Sequence, residues 1–168
     1  DAGTVAAMAA SPDAACLATS SGTLLCVQAS DGTPRWQQAA SPPASAGPAM
    51  ANGRVFVGRG DGSVQAYGLD TGRALWTRAT KGSVITLSVT DTRVVVGTDS
   101  NTVYTLDAAK GKQKWKWRTG GDPVGSAIVV GKRLYYVAYD NTLRAHNLRN
   151  GHLAWARPLV SRPVGGPV

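Results

Sequence analysis

Residues Val64–Trp76 read VQAYGLDTGRALW. The chain repeats the passage at Leu24–Trp36 (LLCVQASDGTPRW), Val103–Trp115 (VYTLDAAKGKQKW) and Leu143–Trp155 (LRAHNLRNGHLAW). Trp36, Trp76, Trp115 and Trp155 are separated by 40, 39 and 40 residues, and four residues before each stands Gly32, Gly72, Gly111 or Gly151. A small or β-branched residue aligns upstream at Cys26, Ala66, Thr105 and Ala145. A period held this way marks an internal repeat.

Each unit reads as four short strands. In the second, SAGPAM is followed by a turn at Asn52-Gly53, then RVFVG, then Asp61-Gly62, then SVQAYGL, then Asp70-Thr71-Gly72, then RALWTR. The middle turn recurs as Ser21-Gly22, Ser100-Asn101 and Asp140-Asn141, and is expected to be a two-residue hairpin. Val, Thr, Tyr, Ile and Leu fill the strands, and no segment keeps a helical period. All 10 acidic residues are Asp; the absence of Glu leans the same way. Four antiparallel strands every ~40 residues are the signature of a β-propeller blade. One blade cannot bury both faces of its sheet, so blades stack around an axis. The expected fold is therefore all-β: a single propeller segment over residues 1–168. Its four-stranded antiparallel blades lie roughly at 4–40, 41–80, 81–119 and 120–159.

The bulk properties set outer limits. The chain has 168 residues, of which 43% are hydrophobic, which suits one packed domain and excludes a disordered chain. No apolar run is long enough to span a bilayer. The opening DAGTVAAMAASPDA lacks a basic stretch ahead of its apolar residues, so it is not an intact signal peptide. The net charge of +8 favours acidic partners, although solubility is its ordinary explanation. Nucleic acid is not the expected partner.

The stretch Ala66–Trp76 resembles the tryptophan-docking motif of the pyrroloquinoline-quinone (PQQ) repeat family. Ala66, Thr71, Gly72 and Trp76 match its pattern, while Gly68 stands where Asp or Asn is usual. Asp107, Gly111 and Trp115 match in the third unit, and Ala145, Asn147, Gly151 and Trp155 in the fourth. The first unit is the most degenerate, with only Gly32 and Trp36 clear. The resemblance implies that each tryptophan packs between neighbouring blades and that each glycine lets the preceding turn close against it. Burying such a ring removes ~150–250 Å² from water. That is worth at most roughly 4–6 kcal/mol.

The resemblance also implies a ring of seven or eight blades. The tail RPVGGPV aligns with DPVGSAIVV of the fourth unit, so 160–168 is expected to begin a further blade. The chain then reads as a piece of a longer propeller. A dimer of half-rings and a compact four-blade ring are the alternatives.

Members of this family include quinoprotein dehydrogenases, which bind PQQ and Ca²⁺ on the axis. Such an enzyme would need an acidic shell, a catalytic Asp and often adjacent cysteines. Asp31, Asp61, Asp70 and Asp140 are explained by repeated turn slots, and Cys16 and Cys26 are not adjacent. No catalytic, cofactor-binding or metal-ligating residue is nominated, and no cofactor is expected. His146 follows the small aligned position and reads as structural. If Ser21-Gly22 is a two-residue turn, Cys26 falls opposite Leu17, and both cysteines are expected to be free, buried thiols.

In KGKQKWKWR, period-2 alternation places Lys112, Lys114, Lys116 and Arg118 on one face of the last strand, a possible polyanion face. Such lysines also guard an exposed edge. Trp117 is either a surface aromatic or an extra core residue. Three functions follow, in order. The first is a non-enzymatic scaffold or sensor propeller that binds a protein through its loops or axial mouth. It would resemble the bacterial outer-membrane-assembly lipoproteins or the sensor and accessory propellers attached to kinases and adenylating enzymes, and the family resemblance leans the compartment towards periplasm or envelope. The second is a fragment of a PQQ- and calcium-dependent dehydrogenase. The third is polyanion binding. Self-association to close the ring is compatible with each.

Overall fold

The computed structural model of the chain describes residues 4–39 and 41–164. It contains four antiparallel sheets of four strands, each a simple meander. The first comprises β1 (Val5–Ala10), β2 (Ala14–Thr19), β3 (Thr23–Gln28) and β4 (Pro34–Ala39). The second comprises β5 (Ala44–Ala51), β6 (Arg54–Arg59), β7 (Ser63–Gly68) and β8 (Ala74–Ala79). The third comprises β9 (Val84–Val89), β10 (Arg93–Thr98), β11 (Thr102–Asp107) and β12 (Gln113–Arg118). The fourth comprises β13 (Pro123–Val130), β14 (Arg133–Ala138), β15 (Thr142–Asn147) and β16 (Leu153–Pro158). The expected blade architecture is present.

The first strands pack in series, β1 on β5, β5 on β9 and β9 on β13. Among the described residues, the fourth sheet makes no comparable packing against the first. The four blades thus form an arc with one free face at each end. Hydrophobic clusters fill the seams between blades. One joins Leu24 and Trp36 to Val55, Val57 and Tyr67; the next joins Phe56 and Val64 to Val84, Val94, Val96 and Leu106. The third joins Val95, Val103 and Trp115 to Leu134 and Tyr136. Neighbouring residues of β6 and β10 therefore face opposite seams. That explains the unbroken apolar runs VFV and VVV, since a strand covered on both faces has no polar side.

The middle turns differ from the expected two-residue hairpins. Ala18 pairs with Leu24, Gly58 with Val64, Thr98 with Thr102 and Ala138 with Thr142. Each loop between β2-type and β3-type strands thus has three residues, the last at positive φ: Gly22 (84°), Gly62 (82°), Asn101 (55°) and Asn141 (55°). A type I turn followed by one left-handed residue is the usual build of a three-residue hairpin.

One extra loop residue moves the register by one, and this corrects the reading of the cysteines. Cys16 pairs with Cys26, not with a position beside it, so both side chains leave the same face of the hairpin. The two form a disulfide, and no free cysteine remains among the described residues. Residues 160–164 carry no strand, and the rest of the proposed fifth-blade strand lies outside the described residues. The Arg162 guanidinium instead lies 4.5 Å from the centroid of the Tyr139 ring.

The disulfide closes a short loop, separated by 10 residues, at the seam of the first two blades. Reduction is expected to lower stability by roughly 3 kcal/mol, as loop-closure entropy predicts for this length. Denaturant titrations with and without a phosphine reductant measure this. Two alkylatable thiols in unreduced, unfolded protein from an oxidising host would contradict the assignment.

Candidate functional site

The tryptophan seams are the most ordered chemistry in the molecule. Cys26, Ala66, Thr105 and Ala145 each stand directly opposite a tryptophan: Trp36, Trp76, Trp115 and Trp155. A small side chain there leaves room for the indole on the same face. Immediately after each pair the register shifts, a bulge that bends the outer strand.

The indole then reaches the next blade. Trp36 Nε1 donates to the Leu69 carbonyl at 2.7 Å, Trp76 Nε1 to Ala108 at 3.0 Å and Trp115 Nε1 to Leu148 at 2.9 Å. Each acceptor lies in the turn that holds the next blade's glycine. That turn is closed by the glycine N–H, as in Gly72 to the Gly68 carbonyl at 2.9 Å and Gly111 to Asp107 at 2.8 Å. Asp107 and Asn147 brace it further by accepting from backbone amides two and three residues on. Gly111 sits at φ 66°, and a Cβ built there would lie 2.6 Å from the Trp76 ring. Gly72 and Gly151 meet Trp36 and Trp115 equally closely. The glycines are thus needed because the rings rest on them.

The two ends of the arc hold unmatched halves of this device. Among the described residues, nothing lies within 4 Å of a Cβ built on Gly32. Trp155 rests on Tyr135 of its own blade, with ring centroids 5.9 Å apart, and stays half-buried. Val5 and Met8 on β1 are 62% and 67% exposed.

The seam between the third and fourth blades carries a polar centre. His146 is fully buried and stacks on both Trp115 and Tyr136, with centroids 5.7 and 5.4 Å away. Trp117, half-buried, packs against the cluster and meets the His146 ring edge-on at 4.7 Å. The His146 Nδ1 lies 2.9 Å from the Gly151 carbonyl, which can only accept. The proton is therefore on Nδ1, and Nε2 accepts from the Tyr136 hydroxyl at 3.1 Å. Burial holds this imidazole below its ordinary value, against the opposing pull of the Gly151 carbonyl. Burial also pushes the Tyr136 phenol up. His146 occupies the place of Tyr67 and Leu106, on which Trp36 and Trp76 dock, so its role is to floor a tryptophan.

The four residues of the basic stretch do not act together. Lys112 precedes β12 and lies in the turn. Lys114 is the bulge residue and pairs with Asp107 at 3.0 Å, which holds that carboxyl below its usual range. Lys116 and Arg118 remain exposed on one face, opposite Tyr104 and Thr102. They line a recess of about 430 Å³ with Lys81, Ser100, Asn101, Thr102 and Tyr104. Lys81 belongs to the connection between blades and was invisible to a pattern confined to one strand. A second cavity, of about 500 Å³, opens on the other rim between Arg93, Lys132 and Arg149.

Among the described residues, no three His, Cys, Asp or Glu side chains gather in a way that could hold a metal ion. Asp31, Asp61 and Asp107 carboxylates point at backbone amides of their own turns, and Asp140 is engaged by Arg144 and the Gly120 N–H. This donor set does not suit the calcium shell that a PQQ enzyme requires.

His146 is expected to make the third seam pH-sensitive. Its folded pKa lies below its unfolded one, so the unfolded chain binds the extra proton first. Its contribution is complete above the ordinary histidine range and is lost as pH falls through that range; each unit of depression corresponds to about 1.4 kcal/mol. The thermal midpoint is expected to fall between pH 7.5 and 5.5, a window spanning the ordinary value of 6.5. His146→Leu should flatten this dependence. An equally steep decline in that variant would place the titrating group elsewhere.

Both halves of the chain, residues 2–90 and 78–165, match the protein family described as outer membrane protein assembly factor BamB. A relative of that name from Shewanella oneidensis (strain MR-1) is 28% identical over 158 residues, covering 84% of this chain and 40% of the relative. Another, from Yersinia pestis, is 26% identical over 152 residues, covering 80% and 39%. The chain thus spans about two fifths of the curated relatives it matches. The crystal structure of BamB from Moraxella catarrhalis superposes with a TM-score of 0.78 at 22% identity, covering 95% of this chain and 54% of that one. The computationally designed Ika8 protein superposes at 0.84 with 18% identity, covering 96% and 51%. These two likenesses concern the fold alone. With four copies of the tryptophan motif in register and both halves matched, the chain belongs to the BamB family of PQQ-like β-propellers.

Proposed function

We propose that this chain is a non-enzymatic scaffold: an arc of a larger propeller that binds a protein partner through its loops or axial mouth. By analogy with the relatives' name, the work it serves is outer-membrane protein assembly, in an extracytoplasmic compartment. The observation that carries this reading is that the side chains with chemical potential are engaged in architecture. The tryptophans dock blades, His146 floors one of them, and carboxylates brace turns. The disulfide supports an oxidising compartment.

Deletion of the gene in its native host, with quantification of outer-membrane β-barrel proteins by mass spectrometry, tests the function. Lowered levels are expected, restored by the wild type and not by Trp115→Ala, which should cost about 3–5 kcal/mol of stability. Unchanged levels would overturn the proposal. So would dye-linked alcohol oxidation by protein supplied with PQQ and Ca²⁺.

The ring itself extends beyond four blades in this reading, towards seven or eight. Trp155, which rests only on its own blade among the described residues, and the open Gly32 slot support it, because each is an unmatched half of a seam. Two copies joined twice, Trp155 into Gly32, would close an eight-blade ring. The 168-residue chain is therefore expected to dimerise in sedimentation velocity runs, and Trp155→Ala to leave a monomer. Wild-type protein that stays monomeric at all concentrations would sink this closure.

A further inference from the structure

The recess at the outer rim of the second seam has no architectural explanation. Lys116 and Arg118 stand one and three residues after Trp115. The same positions hold Gln37 and Ala39, Thr77 and Ala79, and Ala156 and Pro158 in the other blades. Lys81, five residues after Trp76, is matched by Ser41, Gly120 and Val160. The fold therefore needs no cation at any of these three places, yet the third blade and its connection supply all three. By contrast, the larger cavity on the other rim recurs in part: Gly131, Lys132 and Asn147–Asn150 correspond to Asn52, Gly53 and Gly68–Thr71, which line a shallower cavity in the second blade. That cavity is a gap left by the repeat.

The recess is also uncompensated. No carboxylate of the described residues lines it. Two carboxylates at its edge are engaged by backbone: Asp99 accepts from the Ser83 N–H at 2.8 Å, and Asp122 from the N–H of Asn101, a lining residue, at 3.3 Å. Lys114, one bulge away, has its own carboxylate partner; none of Lys81, Lys116 and Arg118 forms an ion pair among the described residues. The polar floor is already in place. Tyr104 is nearly buried, and its hydroxyl oxygen accepts from the Lys81 N–H at 3.2 Å, which leaves its proton free to donate. Ser100 and Thr102 donate elsewhere, to the Lys81 and Ser100 carbonyls, which stiffens the loop.

We propose that this recess binds a phosphate group, held by Lys81, Lys116 and Arg118 with the Tyr104 hydroxyl as a fourth donor. A guanidinium fork and two ammonium groups match a multiply charged oxyanion better than a single carboxylate. The volume of about 430 Å³ leaves room for a group attached to the phosphate. Free phosphoesters and lipid phosphates share this chemistry.

The test is calorimetric titration of the 168-residue chain with inorganic phosphate and with glycerol 3-phosphate. A parallel arm measures co-sedimentation with phosphatidylcholine vesicles, with and without phosphatidylglycerol. Binding in solution identifies a free phosphoester; binding only to the doped vesicles identifies a lipid headgroup; both support the site. The double variant Lys116→Ala/Arg118→Ala should weaken binding at least tenfold. The control Lys112→Ala/Lys114→Ala, with the same loss of charge, should leave it within twofold. Equal loss in both variants would show general attraction to a basic protein and overturn the site. So would unchanged binding in the first variant, or no binding to any probe. All four residues are on the surface, and unchanged thermal midpoints would show that each variant still folds.

Discussion

A single contact organises this molecule: an indole N–H of one blade donating to a carbonyl of the next, over a glycine that has no side chain to obstruct the ring. The hydrogen bond fixes where the tryptophan points. The ring's apolar area supplies most of the energy, since a buried aromatic outweighs one neutral hydrogen bond. The contact requires three features of sequence at once: a small residue opposite the tryptophan, a bulge that bends its strand, and a tight turn in the following blade. Each recurs in phase because a slip in one would misplace the others. The same logic makes a blade incomplete alone, since its tryptophan and its glycine serve different neighbours. Stability in such an array comes from the seams as much as from the units.

The seams are not equivalent. The first contains a disulfide, the second is almost wholly aliphatic and aromatic, and the third surrounds a neutral histidine with Trp115, Trp117 and Tyr136. A buried imidazole is tolerable there because both nitrogens have partners. Surface charge is distributed just as unevenly. Arg35 reaches across the first seam to Asp70, and Arg144 is held by Asp140 within its own blade. The cations of the second seam's rim have no such carboxylates. Repetition fixes the seam interiors and leaves the rims free to vary, so the rims are where a member of this family can acquire a function of its own.

Much of this was legible before any coordinates. The tryptophan period and the glycine four residues before each ring announced the blades. The small aligned positions were visible too, although their purpose appeared only when each was found facing its indole. His146 was readable as structural, but its stacking between two aromatic rings was not. The reading failed at the cysteines for a definite reason. Side chains alternate with period two along a strand, so one miscounted loop residue turns a disulfide into two thiols on opposite faces. The basic stretch misled in a similar way. Alternation was applied across a turn and a bulge, which removed Lys112 and Lys114 from the set, while Lys81 lay 35 residues from Lys116 in the chain.

What the sequence by itself determined is therefore whatever repeats. The spacing and the residues of the tryptophan motif appear four times, and local backbone preferences restate them each time. Tertiary structure alone decided whatever occurs once: the cross-strand register at Cys16 and Cys26, the partners of His146, the pairing of Lys114 with Asp107, and the meeting of Lys81 with Lys116 and Arg118. These depend on distances between residues that no local pattern relates. They are set only when the seams close and bring separate blades to a common surface.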